Sequence, residues 1–157
     1  MSGGGSSPIP VADLLPHRAP MILLDAVLEH TADRTVCVVT IGDGAPFHEP
    51  GGLVPAWVGL EHMAQCVAAH AGLRARAAGD PPPVGFLIGS RRVLFHAAGF
   101  APGQALTVTA KHLWGDSGLG SFACSVHDAG TGAVLAEGTL SVYLPRDLDS
   151  LAARTAP

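Results

Sequence analysis

Two side chains of this 157-residue sequence have the type and setting for proton transfer, His48 and Glu61. Histidine is the side chain closest to a base at neutral pH without tuning. Glu61 stands among Val58, Leu60 and Ala64, where an ionised carboxylate without a partner costs several kcal/mol. Such a glutamate is ion-paired, protonated with a raised pKa, or lining a cavity, and the residue alone leaves all three open. Gln65 lies one helical turn further on, so its amide either orients that carboxyl or simply packs in the core. The other histidines, His17, His30, His62, His70, His96, His112 and His127, form no metal-ligand spacing, and the sequence predicts no metal site. It also contains no Gly-x-Ser-x-Gly elbow, phosphate-binding loop or dinucleotide fingerprint, which removes serine hydrolase, nucleotide and nicotinamide chemistry.

The elements that must position the pair are readable from periodicity. Met21–Glu29 and Thr35–Ile41 read as strands, and the stretch from Gly42 to Gly52, with four glycines and two prolines, reads as a loop ending near His48. From Pro55 the pattern becomes helical, and between Val54 and Leu73 nearly every position is apolar except Glu61, His62, Gln65 and His70. A helix apolar on all sides is a buried helix. Arg74 and Arg76 suit its negative end, and Gly79-Asp80-Pro81-Pro82-Pro83 stops it. Strand patterns then fill Val84–Phe95, Ala105–Trp114, Ser121–His127 and Val134–Leu144. About six strands cover an all-round apolar helix only by curling about it, and the free sheet edges then invite pairing with another subunit. The expectation is an α+β hotdog domain: a curved antiparallel sheet wrapped around one long central helix, spanning residues 11–146 between an N-terminal tail, 1–10, and a C-terminal tail, 147–157.

Composition narrows the function. Hydrophobic residues make up 48% of the chain, enough for one core, and 9 basic against 13 acidic residues leave a net charge of −4. With no basic block, nucleic acid is not an expected partner. No apolar run approaches the ~18 residues of a membrane span. The Gly/Ser-rich start lacks a secretory pattern, and Cys37, Cys66 and Cys124 are an odd, scattered set that reads as buried thiols. A soluble cytoplasmic protein is expected.

Three segments carry a resemblance. The stretch from His48-Glu49-Pro50-Gly51 through Pro55-Ala56-Trp57 to Leu60-Glu61-His62-Met63-Ala64-Gln65, the opening Leu14-Leu15-Pro16-His17-Arg18-Ala19-Pro20 with Asp25, and Pro102-Gly103-Gln104-Ala105-Leu106 together resemble the 3-hydroxyacyl-[acyl-carrier-protein] dehydratases. The likeness runs over nearly the whole chain in order. The helix with Pro55-Ala56-Trp57 and Glu61, followed by Gly85-Phe86-Leu87-Ile88-Gly89, is most similar to the aryl-polyene and polyene-pathway branch. The chain departs from the family pattern in having Glu49 where Phe is common, a link one residue shorter, Ala56 for Gly, and His62 after the acid.

The resemblance implies removal of water from a 3-hydroxyacyl thioester in fatty acid, polyene or polyketide biosynthesis, with His48 and Glu61 as the catalytic pair contributed by different subunits. It implies the amide of Ala56 at the thioester carbonyl and Gln65 in support. Trp57, Val58, Phe86, Leu87 and Phe95 are the expected tunnel lining. The substrate would arrive on the phosphopantetheine of an acyl carrier protein, with no further cofactor, and an acidic carrier would dock on Arg91, Arg92 and Arg74. The dimer would be of like chains or with another hotdog dehydratase. Two competing readings are a non-catalytic or half-site partner of a heterodimeric dehydratase and a hotdog acyl thioesterase.

Overall fold

The computed structural model describes residues 7–116 and 118–145. Nine strands and one long helix follow in the order β1 (Ile9–Pro10), β2 (Ala26–His30), β3 (Arg34–Thr40), β4 (Val54–Pro55), α1 (Gly59–Ala77), β5 (Phe86–Phe95), β6 (Gly99–Phe100), β7 (Ala105–Asp116), β8 (Leu119–Asp128) and β9 (Val134–Tyr143). Seven strands form an antiparallel sheet in the order β1-β2-β3-β7-β8-β9-β5, and β4 pairs with β6. The register of β3 on β7 is unbroken from Arg34 opposite Lys111 to Thr40 opposite Ala105. The sheet is therefore the expected one with a two-residue strand added. Ile9 and Pro10, expected in the tail, pair with Val27 and Ala26, because Val11 and Leu14 are buried just beyond them and hold the chain on the sheet. The remaining tail expectations, residues 1–6 and 147–157, lie outside the described residues.

Helix α1 is buried along most of its surface, through His62, Met63, Gln65, Cys66, Val67, Ala69, His70 and Leu73. Its core side packs against Cys37 and Val39 of β3, Val108 and Ala110 of β7, Cys124 and Val126 of β8 and Leu140 of β9, all in one apolar cluster. Each such aliphatic side chain contributes roughly 1.5–3 kcal/mol on full burial. All three cysteines are buried thiols, and burial pushes the Cys124 thiol up to about 12. A 3-10 turn, Ala56–Val58, feeds the helix. At its other end Arg74 and Arg76 occupy the last turn and Gly79, at φ +78°, closes it, as the stop signal predicts.

Two close approaches fix the segments flanking the helix. A Cβ at Gly72 would lie 2.2 Å from the Leu14 carbonyl oxygen, so only glycine lets the segment before β2 lie on the helix. At Gly99 it would meet the Val54 carbonyl oxygen at 2.3 Å, which is why the short β4–β6 ladder can close. Met21–Leu24, expected to begin a strand, stays outside the ladder: Gln65 of α1 takes its polar groups, accepting from the Leu23 amide at 2.9 Å and donating to the Met21 carbonyl at 2.7 Å.

Strand β5 is a sheet edge. It pairs only with β9, and Phe86, Leu87, Ile88, Leu94 and Phe95 are all substantially exposed along it. Long apolar edges of this kind are pairing sites. A bulge between Arg91 and Leu94 puts Arg92 at φ +52°.

Candidate active site

Glu61 lies in the first turn of α1 and faces an apolar cleft of about 170 Å³. Ala64, Ala68 and Ala71 form its floor along the helix, and Phe86, Leu87 and Val142 form a wall from β5 and β9. Small side chains at these helical spacings leave room for a chain beside the helix. The cleft shares Ala71, Pro83, Val142 and Leu144 with a wider cavity of about 460 Å³ that reaches His70, Arg74 and His112, so an apolar path leads from the carboxyl toward the far end of α1.

The carboxyl is held by its own chain. Gln65, fully buried, donates from Nε2 to Glu61 Oε1 at 3.1 Å as well as to Met21. Both readings of Gln65 are thus met by one side chain, which packs and orients at once. His17 Nε2 stands 3.5 Å from the same Oε1, and Pro16 and His17 line the cleft. Among the described residues no hydrogen bond takes Oε2. His17 is the residue that sequence reasoning missed. The signal was its place in Leu14-Leu15-Pro16-His17, but no spacing ties position 17 to position 61; the tertiary clamp through Gln65 and Gly72 does.

His48 occupies a different setting. It is exposed, and its ring is fixed within its own turn, Nδ1 donating to the Ala45 carbonyl at 2.7 Å. A carbonyl only accepts, so Nδ1 carries the proton and Nε2 is left with a lone pair facing out. The residue before it, Phe47, has φ +68°, a left-handed conformation that costs a non-glycine residue about 1–2 kcal/mol. Phe47 meets Trp57 edge to face, with centroids 6.0 Å apart. No ion pair or hydrogen bond joins His48 to Glu61 within the chain. Within one chain, Glu61 lies in the cleft and the His48 ring lies exposed outside it.

Of the expected tunnel residues, Phe86 and Leu87 line the cleft with Glu61. Trp57 is 59% exposed beside Phe47, and Phe95 is exposed near the opposite end of β5. Val58 is turned into a separate small cavity with His62, Ala45 and Pro46, because the 3-10 turn shifts its phase relative to α1. The Ala56 amide, expected at the thioester carbonyl, donates to the Ala98 carbonyl at 3.1 Å within the chain, a bond imposed by the β4–β6 ladder. Arg91 and Arg92 lie exposed on β5, and Arg74 is on the last turn of α1, lining the wider cavity. His62 is buried edge-on against Phe100, and burial lowers its pKa to about 4, which keeps it neutral. Among the described residues no group of His, Cys, Asp or Glu is arranged to hold a metal, and no helix is long and apolar enough to cross a membrane.

The model of the ApeP-like family, ApeP dehydratase, matches residues 9–153. The chain belongs to the ApeP-like dehydratase family. A solved structure of the dehydratase heterocomplex ApeI:P from Xenorhabdus doucetiae superposes with a TM-score of 0.86 at 29% identity, over 94% of this chain and 99% of that one. Two more distant structures show the fold alone. AziG of S. sahachiroi has a TM-score of 0.58 at 20% identity, over 77% of this chain and 90% of that one, and zebrafish thioesterase superfamily member 2 has 0.63 at 16%, over 85% and 90%. A search of curated proteins found no match. Membership makes this ApeP-like protein a hydro-lyase with the hotdog fold, as the sequence resemblance implied.

Proposed function

We propose that the protein removes water from a 3-hydroxyacyl thioester carried on an acyl carrier protein, in a polyene pathway, at a site built from two hotdog subunits. The observation that carries the reading is the division of one chain into an acid half in an apolar cleft and a base half that faces away from it. A second subunit, paired along the free edge of β5, brings the missing half to each cleft. Pairing with another hotdog protein, as in the ApeI:P heterocomplex, is the arrangement favoured here.

The step balances without a co-reactant, so no cofactor beyond the carrier's phosphopantetheine is invoked. The Nε2 lone pair of a loop histidine, His48 in this chain, takes the C2 proton, and the C–H electrons become the C2=C3 bond. The C3–O bond breaks, its oxygen takes the proton from Glu61, and water leaves the trans-2-enoyl thioester. Gln65 on Oε1 leaves Oε2 to carry that proton. Charge developing on the thioester oxygen needs an amide donor. With the Ala56 amide engaged, the next first-turn amide, that of Trp57, takes this role. Phe86 and Leu87 guide the chain along α1. Arg91, Arg92 and Arg74 give a net acidic protein local positive charge for an acidic carrier. Buried thiols and the absence of a membrane-crossing helix among the described residues fit a cytoplasmic enzyme.

The test is mass spectrometry of a 3-hydroxyacyl carrier protein incubated with the pure protein, alone and with a hotdog dehydratase encoded beside it. A loss of 18 Da, the mass of water, is the expected result. Release of the acyl group would make it a thioesterase, and an unchanged thioester in both incubations would overturn the dehydration reading.

A further inference from the structure

We propose that His17 is a positioning residue for the Glu61 acid, acting as a second donor on Oε1 when the carboxyl gives up its proton. This rests on the reading of Glu61 as the acid. His17 is not a free surface imidazole. Its segment is clamped on one side, where Leu14 is buried and its carbonyl lies on Gly72, and on the other, where Gln65 holds Met21 and Leu23. Between these clamps the ring has little freedom. Its Nδ1 is buried without a hydrogen-bond partner, and its Nε2 faces Glu61 Oε1 at 3.5 Å.

That separation is longer than a formed N–H···O bond. It suits a contact that closes as charge develops, since catalytic hydrogen bonds often lengthen in the unliganded state and tighten on reaction. With Gln65 and His17 converging on Oε1, the acid's proton sits on Oε2, facing the cleft and the C3 oxygen. Once it leaves, Gln65 already donates to the carboxylate, and His17 Nε2–H supplies the second bond. Among the described residues the titratable surroundings of Glu61 are few: Gln65 on its own helix is uncharged, Phe86, Leu87 and Val142 on β5 and β9 carry no charge, and His17 is the ionisable neighbour within 4 Å. The remaining group that would face it is the base of the second subunit.

Two measurements test this. The first needs no turnover: the NMR signals of the His17 ring in the wild type and in Glu61→Ala. Removing the acceptor should shift the His17 Nε2 resonance, because a ring nitrogen that loses its partner changes its shielding; an unmoved resonance overturns the pairing. The second is the pH profile of dehydration with a 3-hydroxyacyl carrier protein. His17→Phe should lower kcat by about 10–100-fold, the scale of a lost catalytic hydrogen bond, with KM held. It should also move the alkaline limb to higher pH, since the carboxylate loses a stabilising donor. His17→Gln keeps an Nε2 donor and should recover most of the rate. A Gln variant as slow as Phe, or a limb that does not move, reduces His17 to a packing role. If the wild type leaves the thioester unchanged while the His17 resonance still depends on Glu61, the dehydration reading fails and the pairing stands.

Discussion

The two halves of the site are built in opposite ways. Glu61 sits on the central helix, its carboxyl held by a fully buried glutamine that also ties down Met21 and Leu23. His48 sits on an exposed loop, its ring and its amide both bonded to the Ala45 carbonyl, and is preceded by a left-handed Phe47. Glu61, the proposed acid, is held by the core of its own chain, and His48, the proposed base, is presented on an exposed loop. An active site assembled within one subunit would bring the two together; this division fits a site completed across an interface.

The largest expected effect tests the division directly. His48→Ala and Glu61→Gln each remove one half, and acid–base groups of this kind contribute about 10²–10⁴-fold. In a dimer of like chains either variant loses activity on that scale, and co-refolding the two restores up to about half of the native rate per mixed dimer, because one of its two sites is intact. In a dimer with an unlike dehydratase each variant leaves one site untouched and loses no more than that site's share. Turnover measured for the single variants and for their mixture tells the two assemblies apart. If the mixture of like chains and both unlike pairings are dead, the shared site is wrong.

What was legible in the sequence follows the same division. The all-round apolar stretch after Pro55 could only be a central helix, and the strands bounded by Gly, Pro and Asp could only wrap it, so hydrophobic pattern alone reached the fold. Glu61 and His48 stood out by residue type and setting. Contacts that tertiary packing creates were hidden. Met21–Leu24 has the apolar pattern of a strand, yet Gln65 claims its backbone. The β4–β6 ladder is two residues long, too short for any period to register, and it is what engages the Ala56 amide. Val58 and Phe95 are apolar enough for a tunnel, but residue type does not say which cavity a side chain faces, and the 3-10 turn before α1 settles that for Val58.

Acidification should strain the acid half, because α1 buries two imidazoles in neutral form. His62 and His70 are each lowered to about 4, first by burial and, for His70, next by His30 and Arg74. The unfolded chain protonates them near 6.5, so it binds the extra protons first. Their penalty is absent above about pH 6.5, grows as pH falls, and levels off below about 4. At pH 5 it amounts to roughly 2 kcal/mol for each histidine, from 1.36 kcal/mol per unit. The Tm should therefore drop several degrees between pH 7.5 and 5, and His62→Phe, which keeps a ring against Phe100, should flatten the dependence. A Tm that is constant over that range contradicts the buried neutral assignment.

Gly72→Ala attacks the clamp on the same half. The new methyl would collide with the Leu14 carbonyl, a backbone atom that cannot rotate away. Overpacking of this kind costs about 1–3 kcal/mol, set against ~1 kcal/mol of improved helix propensity. The expected net loss is up to about 2 kcal/mol by chemical denaturation. The expelled Leu14 segment should carry His17 away from Glu61, so the His17 ring resonance should lose its dependence on the Glu61 carboxyl in this variant. A fully stable Gly72→Ala with that coupling intact would mean the clamp is looser than the contact distances imply.

The smallest effect belongs to the base half. Phe47 pays a left-handed backbone cost that glycine would not, and Phe47→Gly relieves it while giving up the edge-to-face contact with Trp57. Strain relief of about 1–2 kcal/mol is offset by an aromatic pair worth ~0.5–1.5 and by the greater entropy of a glycine in the unfolded chain, so stability should change by less than about 1 kcal/mol. Activity should not follow stability. The Phe47–Trp57 contact joins the histidine loop to the start of the helix, and without it His48 is aimed by its bonds to the Ala45 carbonyl. Losing that alignment should cost a few-fold in kcat, since small misplacements of a catalytic group are felt in rate. Paired Tm and kcat measurements decide it: equal rates in Phe47→Gly would mean that the strained turn serves packing, whereas a slower enzyme of unchanged stability ties the strain to the aim of the base.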